Sequence, residues 1–463
     1  MRNEKEVCGL MFGKKLRAVF SAVLFSAILP LLTGCMMTAS VEDLYSLPQL
    51  PTEYQALSAK IEAILAAGAE TTSPTSGANL QSVQLEDLDG DGVQEAIAFF
   101  RNNNDERPMK ICIFRALGET YEQASVIEGS GTSIHSIRYL DMNGDGVKEI
   151  LVSWRVSAEV QALAVYRLAS LQPEILMSAA YARFETIDLD NDDVLELVVL
   201  RSDETESVAS VADLYDWDGE SIILRSSARL SVTVSELQWV QEGTLENGEC
   251  AVFVTGRVAG VEETSRAVTD ILVCREGELS NIVLSQTTGV SSQIARFVNL
   301  QPMDINGDGA TEIPMPAALP TEDGGEEKWK IYWFSFSADG TATRREITYH
   351  NQTDSWYLLI PNEWDGHFAL VQNNADTNAH TTTIYSLRGS RIGSPVLTIH
   401  TFTGENREAQ AVRSGGTILR RQPNAVYTVS YHVDYFGWRY AVSEEDVVER
   451  FNAITTQWSM GEE

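Results

Sequence analysis

Basic residues are scarce in this chain. Its 463 residues include 34 Lys and Arg against 66 Asp and Glu, a formal net charge of −32. Five of the basic residues (Arg2, Lys5, Lys14, Lys15, Arg17) and only two acidic ones fall in the first 34 positions, so the remainder stands at 29 against 64, or −35. Such a surface repels nucleic acid and anionic lipid and attracts cations. Histidine is sparse too: His135, His350, His367, His380, His400 and His432 are the whole set. No two have zinc-protease spacing, which excludes an HExxH centre. No nucleophile elbow of the GxSxG kind and no phosphate-cradling GxxxxGK[ST] occurs, and the glycines are too dispersed for a dinucleotide loop. After the N-terminal region no apolar run is long enough for a membrane span. An acidic pair of the glycosidase kind is not singled out, because carboxylates are everywhere.

Cysteine is limited to five residues. Cys8 and Cys35 fall in or beside the N-terminal apolar segment. Cys112 lies in the apolar stretch KICIF and reads as a buried thiol. Cys250 and Cys274 flank a hairpin with its midpoint at Glu262, near Gly260, and would face each other across two strands. An exported location permits a disulfide there, although a strict cross-strand pair is geometrically awkward, so bonded and free states both stand open.

The N-terminus reads as an address. Lys14, Lys15 and Arg17 precede an apolar stretch, Ala18 to Leu32, that is short for a span. It ends in Leu32-Thr33-Gly34-Cys35, which resembles the bacterial lipoprotein lipobox. That resemblance implies cleavage before Cys35, a lipid on its sulfur, and stable extracytoplasmic anchoring to the bacterial cell membrane through more than one acyl chain.

What the chain does have is a recurrent acidic segment. DLDGDGVQE, DMNGDGVKE, DLDNDDVLE and DINGDGATE begin at Asp87, Asp141, Asp188 and Asp304. Each offers oxygen ligands at positions 1, 3 and 5, a backbone carbonyl at 7 and a carboxylate at 9, the pattern of a short loop wrapping one hard cation; calcium fits best. An EF-hand would need an acid at position 12, where this chain has Ala98, Val152, Val199 and Met315, and helices on both sides, where it has strand-like runs such as ELVVL.

The loops step by 54, 47 and 116 residues, the last being about two units. Degenerate copies without ligands are expected near 241 (Val240 to Val254) and near 360 (Leu358 to Val371). Within a unit, a strand enters the loop and a strand leaves it. An apolar-aromatic pair then follows (Ile113-Phe114, Val165-Tyr166, Leu214-Tyr215, Val273-Cys274, Tyr332-Trp333, Ile384-Tyr385), and a fourth strand such as Ser221 to Ser227 closes the unit. Four strands per unit at this period predict an all-β fold, a β-propeller. First strands are expected near 82, 136, 182, 232, 295 and 355. Thr417 to Val433 adds a further hairpin, so seven blades are preferred and six are the alternative.

The loops and their flanking strands resemble the calcium-loop propellers of the FG-GAP and VCBS repeat families, over about residues 80 to 435. The resemblance implies that each loop joins the first two strands of a blade. It assigns as calcium ligands Asp87, Asp89, Asp91, the Val93 carbonyl and Glu95; Asp141, Asn143, Asp145, the Val147 carbonyl and Glu149; Asp188, Asp190, Asp192, the Val194 carbonyl and Glu196; and Asp304, Asn306, Asp308, the Ala310 carbonyl and Glu312. The third loop departs from the pattern with Asp193 where the others have Gly. That position wants a left-handed backbone, so this site is expected to be the weakest or most distorted.

The resulting organisation is a signal peptide over 1–34, a lipid-anchored linker with a helix over 35–79, the propeller over 80–435, and a C-terminal segment with a helix over 436–463. The first helix is expected from Thr52 to Ala67, with a capping box of Thr52 and Gln55 and Gly68 as its stop; the second from Ser443 to Trp458. Thr71 to Gly77 reads as linker. Six of the nine tryptophans (Trp329, Trp333, Trp356, Trp364, Trp438, Trp458) lie in the last third, either as core packing or as a flat platform for sugar or peptide. The expected function is a non-catalytic binding or scaffold module at the cell surface, with a protein or polysaccharide ligand. The alternatives are an exported polysaccharide lyase or hydrolase, and an accessory protein for envelope assembly. Fold alone does not separate them.

Overall fold

The computed structural model describes residues 52–454 apart from 119, 130, 159, 170–171, 203–209, 260–264, 322–326 and 390. Cys8, Cys35, Trp458, the lipobox and the hairpin midpoint at Glu262 therefore lie outside the described residues. The chain divides into two compact units, Met1–Ala59 and Lys60–Glu463. Of the first, only the start of a helix over Thr52–Ala66 is described. Gly68, at φ 99°, follows that helix as its stop, and the side chain of Thr52 is outside the described set. No helix among the described residues is long and apolar enough to cross a membrane.

Among the described residues the second unit is built from six antiparallel sheets. The first four follow one plan, a meander of four strands in sequence order. In the first sheet these are Val83–Glu86, Glu95–Arg101, Met109–Leu117 and Thr120–Gly129; in the second, Ser133–Leu140, Glu149–Arg155, Gln161–Ala169 and Gln172–Tyr181. The third holds Arg183–Ile187, Glu196–Ser202, Ser210–Trp217 and Ile222–Leu230; the fourth, Leu237–Thr244, Cys250–Ala259, Ser265–Arg275 and Glu278–Asn281.

Runs such as EILVSW and ELVVL are apolar without alternation because both faces of their sheets are buried. Ile150 and Val152 pack with Ile97, Phe99 and Ile111 of the first sheet, whereas Leu151, one residue out of phase, packs with Leu197 and Val199 of the third. Val198 and Leu200 then turn the other way, onto Val252 and Val254 of the fourth. Phe253 and Ile271 meet Ile313 and Phe336 of the fifth sheet, and Ile347 and Trp356 meet Leu370 and Ile399 of the sixth. Each sheet thus shares a core with the next, as expected where one repeat cannot bury its own faces.

The apolar-aromatic pairs mark a recurrent irregularity. The register to the following strand shifts between Ile113 and Phe114, between Val165 and Tyr166, and between Leu214 and Tyr215. A bulge of this kind bends the strand and re-aims the next side chain.

The last two sheets depart from the predicted phasing. Ile294–Arg296 pairs with Ser265–Arg275, so it belongs to the fourth sheet. The fifth begins at Ile313–Ala318, its first strand reduced to a single bridge between Met303 and Glu312. Trp356–Leu359 pairs with Ala342–Asn351, so the strand expected to open a sixth unit closes the fifth instead. The segment expected as a degenerate loop near 360 is the connection between those sheets, with a 3-10 turn over Asn362–Trp364. The hairpin of Thr417–Arg421 and Ala425–Tyr431 adds to the sixth sheet beside Arg391–Thr403 rather than starting a seventh. The C-terminal helix is short, Glu444–Glu449, with Ser443 as its cap in a capping box with Asp446. Phe451–Ala453, expected as helix, is a strand paired with Trp356–Leu359; its partner edge outweighs helical periodicity over so short a run.

Trp333, Trp356 and Trp364 are fully buried, and Trp364 donates its indole N–H to the Tyr440 carbonyl at 2.8 Å. For these residues the core reading holds. The thiols of Cys112, Cys250 and Cys274 are all free.

Candidate cation loops

The first three acidic segments join the first and second strands of their sheets, and the position 9 glutamate opens the second strand. Glu86 pairs with Glu95, Leu140 with Glu149 and Ile187 with Glu196, closing each hairpin under its loop. In the fourth, Glu312 pairs with Met303 through the isolated bridge.

Two features fix each loop. The position 2 side chains (Leu88, Met142, Leu189, Ile305) are buried and plug the loop into the core. The N–H of the same residue donates to the glutamate: Leu88 to Glu95 Oε2 at 3.0 Å, Met142 to Glu149 at 3.0 Å, Leu189 to Glu196 at 2.7 Å and Ile305 to Glu312 at 3.1 Å. The position 1 aspartate accepts from the N–H of position 6 in all four loops: Gly92 to Asp87, Gly146 to Asp141, Asp193 to Asp188, and Gly309 to Asp304. The position 5 aspartate accepts from the N–H of position 7: Val93, Val147, Val194 and Ala310. These bonds turn the carboxylates toward the loop interior.

The third loop is not distorted. Asp193 adopts the left-handed backbone required of it, at φ 67°, and Asn191 does the same at φ 61°. Its hydrogen bonds are those of the glycine-bearing loops, because Asn and Asp tolerate this region better than most residues.

The glutamates carry the most informative feature. Each is at most 1% exposed, and the second carboxylate oxygens of Glu95, Glu196 and Glu312 accept no hydrogen bond among the described residues. A buried carboxylate oxygen without a partner is costly. Burial pushes all four glutamates up, Glu196 to about 8 and Glu312 to about 7, against the lowering effect of the N–H at position 2. In the first loop carboxylate oxygens of Asp87, Asp89 and Glu95 come within 4.8 Å of one another, and in the third those of Asp188, Asp190 and Glu196 do the same. In the second and fourth loops, position 3 is an amide that donates to position 5: Asn143 to Asp145 at 3.1 Å, and Asn306 to Asp308 at 3.0 Å. In the first and third loops the converging carboxylates fit a hard divalent cation, with oxygen donors only and a buried glutamate oxygen that accepts no hydrogen bond.

Successive loops touch. Lys148 N–H donates to the Leu88 carbonyl, and Leu195 N–H to the Met142 carbonyl at 2.8 Å. A Cβ on Gly90 would stand 2.5 Å from the Gly146 carbonyl oxygen, so this contact requires glycine there. In the fourth sheet the expected degenerate copy is a tight turn, in which Leu245 N–H donates to the Glu249 carbonyl, and Arg275 grips Glu249 at 2.6 and 3.0 Å. Thr311 of the last loop donates back to the Thr244 carbonyl beside that turn.

Sequence reasoning missed a set of charged neighbours. The residue after each apolar-aromatic pair is Arg115, Arg167 or Asp216 in the first three sheets, and Arg275 in the fourth. Arg115 lies 3.4 Å from Asp91 and 3.6 Å from Asp89. Arg167 lies 3.3 Å from Glu149 and 3.6 Å from Asp145. Each lies one residue past its pair, where the sequence alone does not show that it faces a loop. No family model matches the chain, and no curated protein matches it.

Proposed function

We propose that this chain is a lipid-anchored module of the bacterial envelope whose six sheets close into a propeller, held by calcium in its acidic loops, and that it binds or scaffolds an envelope partner rather than catalysing a reaction. The observation that carries the cation part is the unpartnered, buried oxygen on Glu95, Glu196 and Glu312, each beside the aspartates of its own loop. A bound calcium would supply the missing ligand for that oxygen and offset repulsion among the carboxylates. Closure is favoured because each sheet already shares a core with the next. The likeness of Leu32 to Cys35 to a lipobox supports a location outside the cytoplasm.

The test is thermal unfolding of the purified chain with excess chelator, then with calcium or magnesium added back. At millimolar calcium, sites of about 10⁻⁴ to 10⁻³ M affinity contribute on the order of 1 kcal/mol each. Calcium is expected to restore the transition where magnesium does not, and an identical melting curve in chelator and calcium would overturn the cation reading. Anchoring is tested separately, by loss of the Cys35→Ser variant from the membrane fraction.

A further inference from the structure

The four loops are alike in their backbone and unlike in what faces them. We infer that the residue following the bulge in the third strand grades cation demand: the second loop is closed by its own arginine, the first is attenuated, and the third is the tightest site. This rests on the cation reading above.

In the second loop the Arg167 guanidinium reaches both Glu149 at 3.3 Å and Asp145 at 3.6 Å, the position 9 and position 5 carboxylates that a cation would join. It is held there against the Trp217 ring, 4.6 Å from the centroid. Glu149 is accordingly the one loop glutamate whose second oxygen has a partner. A planar cation with fixed donors substitutes for the metal at this point. In the first loop Arg115 touches Asp89 and Asp91 but is 41% exposed, and Glu95 keeps its unpartnered oxygen. This guanidinium neutralises part of the charge without filling the site.

The third loop has the opposite arrangement. Asp216 stands where the first two sheets have arginine, next to Tyr215, whose cross-strand partner Leu197 adjoins Glu196. Asp216 adds to Asp188, Asp190, Asp192, Asp193 and Glu196 of the loop itself. Arg225, 3.0 Å from Asp216 on the neighbouring strand, pairs with that residue. In the fourth loop the nearby Arg345 is engaged by Glu246 at 2.9 Å, which leaves the Glu312 oxygen open.

Calcium titration calorimetry of the purified chain tests this. Uptake of three ions is expected for the wild type and of four for Arg167→Gln. Asp216→Asn is expected to weaken the tightest site severalfold, because one charge beside a divalent ion is removed. Arg115→Gln, a change at an exposed side chain, should tighten the first site by a similar factor and guards against misfolding of the Arg167 variant. An unchanged ion count in Arg167→Gln, or an unaltered tightest constant in Asp216→Asn, would overturn the inference alone. No calcium uptake by the wild type would overturn the cation reading and this inference with it.

Discussion

Lys148 donates its backbone N–H to the carbonyl of Leu88 at 2.9 Å, tying position 8 of the second loop to position 2 of the first. Leu195 repeats the bond to Met142, between the third loop and the second. Because Leu88 and Met142 also hold the glutamates of their own loops, each loop is ordered partly by its neighbour.

Hydrogen exchange should register this coupling. Chelation is expected to speed exchange at the Lys148 and Leu195 amides together, and Glu95→Ala to speed it at Lys148, in the loop it does not belong to. Protection at Lys148 that is indifferent to Glu95 would contradict the coupling.

Leu189 is the fully buried plug of the third loop, whereas Val93 of the first is exposed. Leu189→Ala is expected to cost about 2–5 kcal/mol in denaturant unfolding. Val93→Ala should stay within about 0.5 kcal/mol, as surface changes do. Equal losses would mean that the loops are not anchored through position 2.

His350 is half-buried and stacks on Tyr357, and desolvation pushes its pKa down from 6.5 to about 4. The folded protein therefore holds this imidazole neutral where the unfolded chain protonates it. Its contribution is fully present above pH 6.5 and is lost as pH falls toward 4, by up to about 3 kcal/mol. Stability measured by denaturant across that range should fall less steeply in His350→Asn than in the wild type. Parallel curves would show that the residue is not protonation-linked.

The thiols of Cys112 and Cys274 are buried and pushed up to about 11 by that burial, whereas Cys250 is only partly covered, beside Asn191 at 3.6 Å. Thiolate is the reactive form. At pH 8 an alkylating reagent is expected to label Cys250 first among these three and the other two only after denaturation, as peptide mapping would report. Prompt labelling of Cys112 would contradict the packing of the first sheet.

The repeated loops and the first four sheets were legible because one constraint appears several times. A position 9 glutamate must close the hairpin, position 2 must be apolar, and the strand beyond must be buried on both faces. Three loops with strands on each side obey all three rules, and so Glu95, Glu149 and Glu196 take equivalent places. The later phasing was hidden because pairing there is decided by distant chain. Trp356–Leu359 has the composition of an opening strand, and only its pairing with Ala342–Asn351 makes it a closing one. The arginines were missed for a different reason. A lone Arg after an aromatic residue is common, and nothing local says that a bulge re-aims Arg115 and Arg167 onto carboxylates some 20 residues away.

Phe451–Ala453 returns to pair with Trp356–Leu359 after the whole sixth sheet has intervened. The first four sheets finish in the order in which the chain is made, but the fifth has to wait about 90 residues for its last edge, and contacts of such separation form slowly. On a chain made from its N-terminus, that edge stays open until Phe451–Ala453 has been made. A stop or frameshift just before Phe451 would then reach back and expose Trp356–Leu359, turning a terminal lesion into an adhesive edge in the interior of the sequence.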